Sequence, residues 1–301
     1  MTLVLCTGVS VVDFVFSVAE MPREAIKYRA NDATIVGGGC AANAAVAVAR
    51  LGGEAWLAAR IGDDVIADLM LSDLKSEQVN TSLVQRFKGK RSQFASIFVT
   101  PDAERQIVSY RDLTISQDPK WLEEADLPAF DAVLADTRWA RGTAAAMHRA
   151  RDKNKPGIID GEAPFAEAME ALPLATHIAL SRQGIADLTG IGEFEPALRK
   201  AIDMTSAFVC ATDGEHGVFW IENGNLQHMP AFKVIAIDSL GAGDVWHGAF
   251  ALALGQGQNE RAAIRFASAV AAIKCTRFGG RAGSPTLDEV NAFLLVNNQN
   301  H

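Results

Sequence analysis

The feature that most narrows the possible folds is a turn in the C-terminal third, Asp238-Ser239-Leu240-Gly241-Ala242-Gly243-Asp244. Ahead of it runs Phe232 to Ile237, short, apolar-rich and β-branched, which predicts a strand. Behind it, Val245 to Leu254 is a long apolar stretch ending at Gly255, which predicts a buried helix. The first amides of a helix have no intrahelical partners and carry the positive end of its dipole. Gly241 and Gly243 have no Cβ, so the backbone can approach an anion closely, and Asp244 projects a carboxylate into the same place. An anion cradle with a carboxylate inside it suits transfer of a phosphoryl group to a hydroxyl, a reaction in which positioning carries most of the catalysis. The competing reading is a tight turn whose Asp caps the helix, and the stretch alone does not choose between them.

The chain has 301 residues, 49% of them hydrophobic, enough to bury a large core as one α/β domain with an elaboration or two small domains. A net charge of -8 and the lack of any long basic run argue against a nucleic-acid surface. Cys6, Cys40, Cys210 and Cys275 are far apart with no C-x-x-C, so neither a zinc site nor a disulfide framework is expected, and a reducing compartment fits. The apolar N-terminus lacks a basic start and is interrupted by Asp13, so it reads as a strand rather than a signal peptide. No stretch reaches membrane-spanning length, and a cytoplasmic protein without membrane contact is expected.

Leu3 to Ser10 predicts a central strand, with Asp13 just beyond it. Phe14 to Val18 and Tyr28 to Val36 predict two more strands without a helix between them. Ser92 to Thr100 and Arg105 to Tyr110 flank Pro101-Asp102 as a hairpin. Together these pairs predict a small four-stranded sheet outside the main layer, placed to act as a lid. Gly37-Gly38-Gly39-Cys40-Ala41-Ala42-Asn43 opens an Ala/Val-rich helix, permitting close approach of a ligand, with Asn43 one turn in. From Trp121 onward strands and helices alternate regularly, and Asn223-Gly224 is a hairpin signal. Thr212-x-Gly214-x-x-Gly217 follows a strand and could hold phosphates, although it is weak as a lone pattern. The six histidines have no ligand spacing, and no Walker A, Rossmann or G-x-S-x-G pattern is present.

These glycine-rich strand ends, taken in order, resemble the ribokinase-like, or PfkB, carbohydrate kinases over nearly the whole chain. The two signatures are Gly37-Gly38-Gly39-x-x-x-Asn43 through Gly52 and Asp238 through Asp244. The resemblance implies a three-layer α/β/α ribokinase-like fold with a mainly parallel sheet, residues 1–301 forming one domain with a lid from about 12–36 and 90–112. It implies that Asp244 activates the acceptor hydroxyl, while the amides of Gly241, Ala242 and Gly243 stabilise the transferred phosphoryl group. Asp13, Gly38, Gly39 and Asn43 would bind the sugar. Thr212, Gly214 and Gly217 would hold ATP, with Ala267 and Ala271 near its base and magnesium accompanying it. Carbonyls around Asp238 and from Gly279 to Gly283 would hold potassium, and two lids would pair in a homodimer. One departure stands out: the N-x-x-E motif of the family is replaced by Ser181-Arg182-Gln183-Gly184.

A narrower resemblance, carried by Lys27-Tyr28, Leu134 to Trp139, Gln227 to Val234 and Lys274 to Gly283, is to the kinases of 6-deoxy-6-sulfofructose in sulfoglycolysis. A sulfonate is a permanent anion, and Lys27 and Arg138 would pair with it, with Ser109 where that subgroup is expected to have Asn. Arg138 could instead pair with Asp136 or Asp160, and Lys27 could simply be solvated. Fructokinase, ribokinase or nucleoside kinase activity, or a non-catalytic sugar or nucleotide sensor, are the alternatives.

Overall fold

The computed structural model describes residues 1–102 and 104–297. The chain opens with β1 (Leu3–Gly8), β2 (Val11–Ser17), β3 (Asp32–Gly38), α1 (Cys40–Arg50), β4 (Glu54–Gly62), α2 (Val65–Ser76) and β5 (Asn80–Phe87). It continues with β6 (Phe94–Val99), β7 (Arg105–Tyr110), α3 (Lys120–Glu123), β8 (Ala132–Asp136), α4 (Ala140–Asp152), β9 (Gly157–Gly161) and β10 (His177–Ser181). The last third holds α5 (Arg182–Thr189), α6 (Phe194–Asp203), β11 (Phe208–Thr212), β12 (Val218–Glu222), β13 (Asn225–Met229), α7 (Ala242–Gly255), α8 (Glu260–Cys275) and α9 (Leu287–Val296).

Among the described residues the main sheet has nine strands in the order β13-β12-β11-β10-β9-β8-β1-β4-β5. It is parallel from β11 to β5, with β12 and β13 antiparallel at one edge. β1, β8 and β9 are buried along their whole length because helices cover both faces, which is why they are apolar without alternation. One face packs against α1, α7 and α8, the other against α4, α5 and α6, giving three layers. Within the first layer α1 and α7 touch backbone to backbone: a Cβ at Gly248 would overlap the Ala44 carbonyl. No helix of the described residues is long and apolar enough to cross a membrane.

The second sheet runs β3-β2-β6-β7, the four strands expected to stand apart. Its register aligns Val36, Asp13, Ala95 and Ser109 in one row. On that face Val15, Ala95 and Ile97 pack against Leu240 of the glycine-rich turn, so the small sheet rests over the start of α7.

The strand expected over Phe232 to Ile237 does not form. Phe232 is buried while Ile235 and Ile237 are exposed, and β13 is the last strand at this edge of the sheet. The segment instead crosses the helical layer. Phe232 packs on Phe293 of α9, and the amides of Ile237 and Asp238 both donate to the Cys275 carbonyl.

Candidate active site

The site is built on the turn that starts α7. Gly241 adopts a left-handed conformation (φ 72°), which glycine takes without a Cβ penalty. The Ala242 amide closes the turn onto Ser239 O at 3.2 Å, and Val245 N reaches Gly241 O at 3.0 Å. The amides of Gly241 and Gly243 donate to no group among the described residues, so they, and not Ala242, are the donors left for an anion.

Asp244 lies at this mouth, half-buried, and its Oδ2 accepts from Asn43 Nδ2 at 2.6 Å. Asn43 is buried on α1, and its Oδ1 faces Arg281 Nη1 at 3.5 Å. Arg281 is itself buried and pairs with Asp73 of α2. The carboxylate is thus aimed by a side chain that is held from its other end. Asp13 reaches in from β2, so close above Gly38 that a Cβ there would overlap its carboxylate; at Gly37 a Cβ would overlap the Arg281 guanidinium. Burial pushes Asp13 up to about 6, with the Asp244 charge adding to the rise and the Arg281 charge opposing it. Asp136 is buried behind the site and accepts from Val9 N, Ala41 N and Arg138 N at 2.8, 3.1 and 2.8 Å, joining the ends of β1 and β8 to the start of α1.

Arg138 is half-buried, its side chain makes no hydrogen bond among the described residues, and its charge acts on Asp136 and Asp160. Lys27 is exposed on the loop between β2 and β3, without an ion pair among the described residues. Ser109 shares the row of Asp13 on the small sheet.

At the carboxyl end of β11, Thr212 leads into a tight turn in which Asp213 N reaches Gly217 O at 2.8 Å, with Gly214 at its open side. Arg182 grips the Asp213 carboxylate through two contacts of 2.5 Å while lying over Phe194. Ser181 caps α5 by accepting from Gly184 N at 2.9 Å. A side chain at 184 would collide with Gly161 O, so the family's acid has no room at this position.

Two expected contacts have surroundings that the sequence did not indicate. Ala267 has no exposed surface and belongs to the core, leaving Ala271, one turn on and half-buried, as the α8 residue able to meet a base. The Asp238 carbonyl, expected to hold potassium, accepts from the fully buried Lys274 ammonium at 2.7 Å. Gly279 O accepts from Ala282 N at 3.1 Å, and Gly283 is buried against Arg277. The Asp238 carboxylate receives Leu240 N, Gly279 N, Gly280 N and, from β7, Arg105, at 2.9 to 3.1 Å. One of the carbonyls expected to meet an external cation therefore meets an internal one, the Lys274 ammonium. Neither Lys274 nor Arg281 was picked out as a site residue by the sequence, where each is one basic residue among many.

Residues 1–287 match the family described as pfkB family carbohydrate kinases. The sequence is 27% identical to the deoxyribokinase of Salmonella typhimurium over 96% of this chain and 98% of that protein. It is 29% identical to the ribokinase of Bacillus subtilis over 86% of this chain and 88% of that one. Among solved structures, a candidate ribokinase from Agrobacterium tumefaciens superposes with a TM-score of 0.88 at 35% identity, covering 99% of both chains. The ribokinase of Thermotoga maritima gives 0.83 at 26%, covering 98% of this chain and 99% of that one.

Proposed function

The chain belongs to the pfkB family of carbohydrate kinases and has its three-layer ribokinase-like fold, and on that premise we propose that it transfers the γ-phosphoryl group of ATP to a primary hydroxyl of a ketohexose-like sugar. That it is an ATP-dependent sugar kinase follows from the family; the acceptor and the roles below are our reading. The observation that carries it is the carboxylate of Asp244, aimed by Asn43 at 2.6 Å beside two amides without partners.

In this reading Asp13, Gly38, Gly39 and Asn43 hold the sugar, and Thr212, Gly214, Gly217 and Ala271 hold the nucleotide, which arrives with its magnesium as substrate. Asp244 takes the proton of the attacking hydroxyl as that oxygen bonds to the γ-phosphorus and the bond to the β-phosphate oxygen breaks. The Gly241 and Gly243 amides receive the charge that spreads over the transferred group. Lys274 holds the turn at Asp238, and we assign no role to potassium. The small sheet serves as the lid of a single domain and pairs between two copies through the row Ile35-Phe14-Ser96-Val108, whose Ile35 and Val108 are exposed. With ATP as donor, we read the reaction as cytoplasmic.

For the acceptor, an anionic ketohexose such as 6-deoxy-6-sulfofructose is supported by Arg138 and Lys27, whose charged side chains make no hydrogen bond among the described residues. The relatives named above support ribose or deoxyribose, and fructose is the uncharged ketohexose to set beside them. ATP consumption measured over these four sugars decides. Sulfofructose should be turned over most efficiently, and Arg138→Ala should raise its KM about tenfold or more while sparing that of fructose. An equal change for both sugars removes the ion pair, and turnover of none of them removes the assigned acceptor class.

Asp13 gives the reaction a pH signature. Above about 6 it is ionised and accepts from sugar hydroxyls; as the pH falls through that value it takes a proton and loses an acceptor. The KM for sugar should therefore rise below about pH 6 while the KM for ATP stays flat, and Asp13→Asn should abolish the inflection. Stability moves the other way, because the folded state holds this proton more tightly: Asp13 contributes at low pH and its contribution is lost as the pH rises from 3.8 to about 6.

A further inference from the structure

Three side chains meet beneath the cradle that no step above uses together. Cys40 is the first residue of α1, Asp160 lies in β9, and Asp244 is in the first turn of α7. One donor atom from each lies within 4.8 Å of the others. We propose that Cys40, Asp160 and Asp244 form a binding site for a thiophilic divalent cation, zinc above all, whose occupancy switches the kinase off.

Asp160 supplies the independent sign that a ligand belongs here. It is 2% exposed, and its Oδ1 has no hydrogen-bond partner. His247 Nδ1 is 3.5 Å from that oxygen, but it is engaged by Gly243 O at 2.8 Å. A buried carboxylate oxygen without a donor is costly, and a cation complements it. Zinc–sulfur and zinc–oxygen bonds are about 2.0–2.3 Å, so donors within 4.8 Å of one another close further onto a bound ion. One thiolate with two carboxylates favours zinc or cobalt over magnesium, which takes oxygen ligands throughout. Cys40 and Asp244 both retain exposed surface, giving the ion an entry path and leaving a fourth position for water. On binding, the thiol proton leaves to solvent and the sulfur–metal bond forms. The donors come from three distant parts of the chain, so cysteine spacing could not reveal them.

The inhibitory effect rests on the reading of Asp244 as base, since an ion bound there removes the proton acceptor. The test titrates the intact enzyme with buffered free zinc at fixed ATP and magnesium, and separately with cobalt(II) alone. Zinc should inhibit in competition with the sugar. Cys40→Ser and Asp160→Asn should keep their zinc-free rates and need about tenfold more zinc or higher for half-inhibition. Cobalt should give a thiolate-to-metal charge-transfer band in the wild type that Cys40→Ser lacks. Equal zinc sensitivity in both variants, or a cobalt band that persists without Cys40, would overturn the site. Should Cys40→Ser not fold, Cys40→Ala with the cobalt measurement gives the same decision. The cobalt band needs no turnover, so binding through Cys40 by a protein that phosphorylates no sugar would uphold the ion site and sink the acceptor assignment instead.

Discussion

Asp244→Asn should lower kcat by roughly a thousandfold, in the range seen when a positioned general base is removed. The substitution keeps the shape of the side chain and its contact with Asn43 Nδ2, now between two amides, so the fold and the cradle stay in place. What is lost is the site that accepts the proton of the attacking hydroxyl. Calorimetric ATP binding should change little, and the KM for sugar less than kcat, because the interaction removed matters most as the reaction proceeds. Turnover near the wild-type rate would take Asp244 out of the role of base and leave it as a helix cap.

The second large effect is expected well away from any substrate. Gly248→Val places side-chain atoms where α7 meets the Ala44 carbonyl of α1, and overpacking of this kind costs about 1–3 kcal/mol, sometimes more. The two helices carry Asn43 and Asp244 respectively, so parting them also breaks the 2.6 Å contact that aims the carboxylate. Denaturant unfolding should show a lower midpoint with an unchanged slope, and kcat should fall in the fraction that remains folded. A lower midpoint with undiminished kcat would show that the helices part without disturbing the site, and that Asn43 does not depend on this packing.

The glycines and Asp244 were legible in the sequence because each sits on a local signal: a glycine run or turn followed at once by an apolar helix. The small sheet was legible too, since two strand pairs lacked intervening helices. Segment 232–237 misled because a short, apolar, β-branched run says nothing about what pairs with the backbone; here Phe232 is buried against Phe293 of α9 instead. β5 went unmarked because an edge strand carrying Asn80, Gln85 and Arg86 has no continuous apolar run. Ala267 and Ala271 look alike in a helix pattern, yet only one of them keeps any surface. Asp160, Lys274 and Arg281 were not identifiable as buried charges, because the groups that surround them lie on other elements and burial of a charge is decided by tertiary structure. The glycine at 184 was visible as a departure, while its cause, the carbonyl of a neighbouring strand, was not.

The ammonium of Lys274 has a consequence for the medium in which the enzyme works. A counter-charge bound covalently to the chain cannot be diluted, exchanged or outcompeted, and its sealed position keeps dissolved electrolyte from screening its contact with Asp238. The turn at Asp238 is therefore expected to keep its geometry whichever alkali ion prevails around it.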